Sequence, residues 1–170
     1  GIALRGYVKN DAMVGRLTAL DVVWHRKLRP GYGWIFPLAN GEVNVGVGTL
    51  ATNKRPADVN LRALMNTYAD QQREDWKLSG DIRMPWSFLL PMGGAVSGIA
   101  GKNFMFIGDA AGCVNPLNGE GIDYGLETGR LAAQMLETET DFTVAWPAEL
   151  RTHYGYAFSI ARRLAGLLTV

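Results

Sequence analysis

Residues 104–136, FMFIGDAAGCVNPLNGEGIDYGLETGRLAAQML, decide how this chain folds. Residues 104–107 are apolar and read as a short buried strand that delivers Gly108 and Asp109 into a glycine-rich loop. A helix then opens at about Gly119-Glu120-Gly121. That order puts one carboxylate at a strand end and unpaired backbone N–H groups at a helix start. Those N–H groups, with the helix dipole behind them, favour negative charge. Asp109 accepts hydrogen bonds more strongly than its uncharged neighbours do. The arrangement suits a ligand with hydroxyls at one end and an electron-rich ring at the other. Pro116, Leu117 and Asn118 fall where the loop passes the ring face, and the N–H that Pro116 lacks is dispensable beside an aromatic surface. Gly119 and Gly121 let the backbone approach closely. Glu120 has two readings, a first-turn carboxylate answering the dipole or a proton relay. Asp109 by itself also has a plainer one, as a cap or turn residue.

Downstream, the helix expected over 120–136 carries Gly121, Gly125, Gly129 and Ala132 at intervals of three or four, a stripe of minimal side chains. The tail, 143–170, has helical spacing with Pro147 near its start. Tyr154, Phe158, Ala161, Leu164, Ala165 and Leu168 form one face, with Arg151, Arg162 and Arg163 off it. Three readings stay open for this helix: packing on the rest of the protein, a lid over an apolar tunnel, or contact with a membrane interface.

Upstream, alternation marks 2–8 as a strand with Ala3, Arg5 and Tyr7 on one side, and 20–25 as another. Residues 32–37 and 42–49 flank Asn40-Gly41, a favoured type I′ pair, so they form a hairpin. Val43, Val45 and Val47 share one face of it; Asn44, Gly46 and Gly48 share the other and leave room for something bulky. A helix is expected over 57–73, with Pro56 near its start, and a strand over 82–91. Residues 93–101 read as the loop leading into the strand at Phe104. Tyr32, Trp34 and Phe36 alternate with Gly33 and Ile35, so the three rings lie on one side of their strand. Core packing is the bland reading of such a strand; an apolar substrate wall is the functional one.

Composition narrows the field. With 170 residues, 48% hydrophobic and 19% charged, the chain is one ordinary domain's worth of globular protein. Seventeen basic against sixteen acidic residues, net +1, give no electrostatic footprint for nucleic acid. The single cysteine, Cys113, excludes an internal disulfide and reads as a small buried residue. His25 and His153 belong to no triad, and no metal-ligand spacing is present. No apolar run approaches the roughly 20 residues of a spanning helix. Gly46-Val-Gly48-Thr-Leu-Ala51 superficially fits a dinucleotide fingerprint, yet it belongs to a hairpin, and Asp70 sits inside a helix, so the match is rejected. The pyrophosphate-binding half of a dinucleotide site is therefore not among these residues.

The two motifs carry a resemblance. GDAAGCVNPLNGEGI resembles the second flavin-contact motif of FAD-dependent oxidoreductases shaped like p-hydroxybenzoate hydroxylase. PGYGWIFPLANGEVNVGVG, residues 30–48, is similar to the Tyr-x-Trp-x-Phe-Pro signature of the geranylgeranyl reductase family within that superfamily, at Tyr32, Trp34, Phe36 and Pro37. Within it, the likeness extends to the bacterial enzymes that saturate one double bond of a menaquinone tail. It covers 3–136 and weakens after Glu137.

The resemblance implies an α+β fold: an antiparallel substrate-binding sheet with helices on one side over 1–100, an FAD-contact strand, loop and helix over 101–137, and a helical segment over 138–170. It implies that Gly108, Asp109, Pro116, Gly119, Glu120, Gly121 and Ile122 contact FAD, and that Tyr32, Trp34, Phe36 and Pro37 wall a prenyl lipid substrate. The activity implied is reduction of a prenyl C=C bond by hydride from reduced FAD. A flavin monooxygenase or halogenase on the same scaffold is one alternative, a non-catalytic lipid-binding module the other. The family's Rossmann region would precede this chain, so the chain alone is expected to be inactive and to bind flavin weakly or not at all. No catalytic residue, proton donor or metal ligand is assigned. A cytoplasmic setting is expected, with peripheral contact at the inner face of the cell membrane.

Overall fold

The computed structural model describes residues 1–11, 20–24, 31–50 and 59–168. It divides into two compact units, Gly1–Leu89 and Leu90–Val170. Residues 90–100, expected to go with the sheet, belong to the second unit. The reason is local: the Gly93 and Gly94 N–H groups donate to the Val114 and Gly112 carbonyls, each at 2.7 Å, and Ile99 and Ala100 pack on that unit's core.

The first unit is one antiparallel sheet of β1 (Ile2–Lys9), β2 (Asp21–Val23), β3 (Gly31–Pro37), β4 (Glu42–Thr49) and β5 (Ser79–Leu89), in the order β2-β3-β4-β1-β5. The expected alternation governs it. Val43, Val45 and Val47 are fully buried and join Leu4, Val8 and Ile35 beneath α1 (Leu61–Gln72), which contributes Leu61, Met65, Tyr68 and Ala69. His25 and residues 57–58 lie outside the described residues. The described helix begins at Leu61, where the Asn60 side chain accepts from the Ala63 N–H at 3.0 Å and supplies the start signal. Gly33 is explained from below: a β-carbon there would come within 3.1 Å of the Tyr68 ring. The Tyr68 hydroxyl donates to Asp21 Oδ2 at 3.3 Å. Burial first, then the Asp21 carboxylate, push its pKa upward.

The hairpin turn differs from expectation. Pro37 pairs with Val43, and the Leu38 N–H donates to the Glu42 carbonyl at 2.8 Å, leaving Ala39, Asn40 and Gly41 as a three-residue loop. Within it only Gly41 has positive φ, 82°. A type I′ turn requires positive φ at both central residues, whereas a three-residue loop needs it at the glycine alone.

The second unit holds a two-stranded ribbon, β6 (Ala100–Gly101) with β7 (Phe104–Met105), then a 3₁₀ turn (Gly108–Ala111), α2 (Ile122–Met135) and α3 (Phe142–Leu168). Its core is Ala111, Cys113, Leu131, Ala132, Phe142, Trp146, Leu150, Tyr154 and Phe158. The α3 stripe therefore starts earlier than the tail pattern indicated, at Phe142, and Leu164 lies off it at 45% exposure. Asp141 opens α3 by accepting from the Thr143 N–H at 3.0 Å; hydrogen bonding from the Thr143 side chain first, then from that N–H, holds its carboxyl below the ordinary range. Trp146 is completely buried and donates its indole N–H to the Phe106 carbonyl at 2.8 Å.

Candidate functional site

The loop over 108–121 is built from backbone. Gly108 has φ 53°, and a β-carbon there would come within 3.1 Å of the Gly125 Cα, so strand end and helix cross with hydrogen-only contact. Its N–H donates to Thr128 Oγ1 at 2.9 Å, and that hydroxyl in turn donates to the Tyr124 carbonyl at 2.6 Å. Thr128 is fully buried, a positioning residue that helical spacing alone did not reveal.

Beyond Gly108 the loop is held by side chains folding back on backbone. Asn115 Oδ1 accepts from the Leu117 N–H at 2.9 Å, and Asn118 Oδ1 from the Glu120 N–H at 3.0 Å. These are Asx turns, legible in Asn-x-x-Asn-Gly as turn chemistry. Pro116 is buried, and its ring packs where a β-carbon on Gly93 would be, 2.8 Å from Cγ. Arg162 of α3 clamps the same point, donating from Nη1 to the Gly93 carbonyl at 2.7 Å. Gly119, at φ 75°, lies under Met92 and Leu90.

Asp109 stands on the 3₁₀ turn and is exposed. A β-carbon on Gly121 would overlap its Oδ1, so the carboxylate is beside the start of α2 because residue 121 has no side chain. Gly121 is the N-cap and offers no side-chain cap. The first-turn N–H groups of α2 thus keep their capacity for an outside acceptor.

Several expectations change. The strand before Gly108 is short and open: only Phe104 and Met105 pair, while Phe104, Phe106 and Ile107 are each more than two-fifths exposed. The apolar run is real, but the described residues offer it no facing layer. Glu120 precedes the helix and is exposed, so Asp123 is the first-turn acid instead. Ile122 is 79% exposed. Beneath the loop Cys113 is buried; that burial, then the Asp109 carboxylate, push its thiol up to about 11.

The sheet unit carries the other set. Tyr32, Trp34 and Phe36 form a ladder of tilted rings with Trp24, at centroid separations of 5.7, 6.0 and 6.1 Å. Pro37 ends the strand, half-buried. The room left by the glycine face is filled by the ladder itself: the Trp34 indole lies across Gly46, and its Nε1 donates to Asn44 Oδ1 at 2.9 Å. Gly48 and Ala3 extend that floor. A second pair, Trp86 and Phe88 on β5, stacks at 6.1 Å and belongs to the same face by register. Their alternation with Ser87 was the signal for them. Among the described residues no cluster suited to a metal ion occurs.

No family model matches the chain. It is 59% identical over its whole length to the menaquinone reductase of Mycolicibacterium smegmatis and spans 43% of that protein. It is 26% identical, over 82% of its length, to a digeranylgeranylglycerophospholipid reductase of Methanopyrus kandleri, covering 37% of it. The chain thus spans about two-fifths of the length of the curated relatives it matches. Among solved structures, a geranylgeranyl bacteriochlorophyll reductase-like protein of Thermoplasma acidophilum superposes with a TM-score of 0.70 over 98% of this chain and 43% of its own, at 18% identity. That likeness bears out the α+β architecture. Over the whole of its length this chain is similar to a menaquinone reductase, and over most of it, more distantly, to a digeranylgeranylglycerophospholipid reductase.

Proposed function

We propose that this chain supplies the substrate wall and the flavin-contact loop of a reductase that saturates an isolated C=C bond in a prenyl chain, with a prenyl quinone of the menaquinone type as substrate. The observation that carries this reading is the continuous aromatic ladder Trp24, Tyr32, Trp34 and Phe36 on one sheet face. The kinship with menaquinone and digeranylgeranylglycerophospholipid reductases supports it.

The residues of the loop fit a flavin. Asp109 is free to accept from ribityl hydroxyls, the uncapped start of α2 suits the electron-rich pyrimidine edge, and Gly121 lets the carboxylate stand beside that start. FAD, when bound and reduced, supplies the hydride. An unactivated alkene has no carbonyl to polarise, so this chain's contribution is alignment and exclusion of water. Stacked rings do both, holding an isoprenoid by area removed from water at about 25 cal/mol per Å². The ladder leaves Trp34 as the ring nearest the glycine floor, where close approach to the sheet is set. Among the described residues no helix is long and apolar enough to cross a membrane; a water-insoluble substrate is met by peripheral contact.

Anaerobic reduction of the full-length flavoprotein, addition of a prenyl quinone and mass analysis of the extracted lipid test the reading. A product heavier by H₂ in the prenyl tail is expected. An oxygen-dependent product carrying an added oxygen atom, or unchanged lipid beside a reoxidised flavin, rejects it.

A further inference from the structure

Register places two rows of residues across the outer face of the sheet. One runs Trp34, Gly46, Arg5, Trp86 and the next Tyr32, Gly48, Ala3, Phe88, each row crossing β3, β4, β1 and β5 in turn. Adjacent members are one strand spacing apart, about 4.8 Å. Seven of these eight residues are uncharged; the exception is Arg5, set between an aromatic ladder and an aromatic pair.

Its environment separates Arg5 from an ordinary surface arginine. Arg83, one row further along, pairs with Glu42, whereas Arg5 makes no ion pair among the described residues. Its guanidinium lies over the Tyr7 ring, 4.7 Å from the centroid, and Nη1 reaches the Met84 carbonyl at 3.5 Å, a long contact. That carbonyl is available because β5 bulges there: the register against β1 shifts between Arg5 and Tyr7, and Met84 adopts φ 50°, costly for a residue with a β-carbon. Contact with the Tyr7 ring restrains the guanidinium, and its remaining donors have no acceptor among the described residues. On this partly exposed face those donors are open to an oxygen acceptor from outside the chain.

We infer that Arg5 is a specificity residue that binds the oxygen-bearing head of the prenyl ligand, fixing how far along the aromatic face the chain is threaded. This rests on the proposed function. The chemistry recognised is acceptor oxygen, a single carbonyl oxygen at one edge of a quinone or several oxygens on a diphosphate. A guanidinium donates with both arms of its fork to a diphosphate or onto one carbonyl oxygen of a quinone, and a headless hydrocarbon offers it nothing.

The test is binding, which needs no turnover. In the full-length protein, quenching of tryptophan fluorescence by a prenyl quinone gives its affinity, and displacement of that quinone gives those of a prenyl diphosphate and of a polyprene without a head group. Arg5→Met, similar in bulk, weakens the ligands with oxygen heads about ten- to a hundredfold and leaves the headless polyprene unchanged. Whichever head loses more is the one the site is built for. Arg5→Lys keeps the charge without the fork and falls between. Equal loss for all three ligands makes Arg5 a packing residue and overturns the inference, as does no loss for any. Failure of the reductase reading would leave the Arg5-dependent quinone affinity intact, so the two failures are distinguishable.

Discussion

Gly46 and Gly108 sit in different units of this chain, and both are crowded by different kinds of neighbour. Over Gly46 lies the indole of Trp34, a side chain that another substitution can trim. Against Gly108 lies the Gly125 Cα, backbone that no substitution can remove, and Gly108 itself holds φ 53°. The sheet uses glycine to seat a side chain, and its working surface is made of rings. The loop uses glycine to bring backbone to backbone, and its working surface is made of N–H groups and one carboxylate. Changes on the sheet should therefore be graded by size and open to compensation, while those in the loop should be neither.

Gly108→Ala gives the largest effect. It combines a left-handed backbone conformation with a methyl group driven at Gly125, and should cost about 2–4 kcal/mol by denaturant unfolding. A loss below that of an ordinary surface substitution would show that the crossing at Gly125 is loose. Gly46→Ala comes next, at about 1–3 kcal/mol from overpacking against Trp34. Adding Trp34→Phe should return part of that cost, a coupling of about 1 kcal/mol in a double-mutant cycle. Strict additivity would break the distinction between the two glycines.

The smallest effect concerns pH. Cys113 ionises less readily folded than unfolded, its thiol raised from 9.0 to about 11. An acid whose folded value is raised stabilises the fold fully below its unfolded value and loses that contribution as pH climbs through the folded one. Unfolding midpoints should fall between pH 9.0 and about 11 more steeply than in Cys113→Ala. Native Cys113 should also resist alkylation that the unfolded chain undergoes. Parallel slopes for the two proteins would mean that the thiol is not desolvated.

How much was legible in the sequence follows the same division. Period-two alternation exposed both faces of β4 and the ring stripe of β3, because a strand writes its environment residue by residue. That Trp34 itself fills the space over Gly46 was hidden, since cross-strand register depends on the turn, and the turn proved to hold three residues. In the loop, the order strand, Gly-Asp, glycines, helix could be read, and Asp109 does stand beside Gly121. The bonds that fix it could not. Thr128 and Arg162 act from positions 20 and 69 residues away, on backbone groups that have no letter in a sequence. Arg5 was visible as one side of a strand, and only the neighbouring strands give that side its meaning.

The bond from Trp146 to the Phe106 carbonyl carries a consequence for how the loop comes into being. A ribbon with two residues per strand has too few rungs to support itself. Its outer carbonyl is held by an indole from 40 residues further on. During synthesis Phe106 leaves the ribosome well before Trp146 does, so the Asp109 loop lacks this support until α3 has been made. A chain ending before residue 146 would contain every residue of the loop and lack what it stands on.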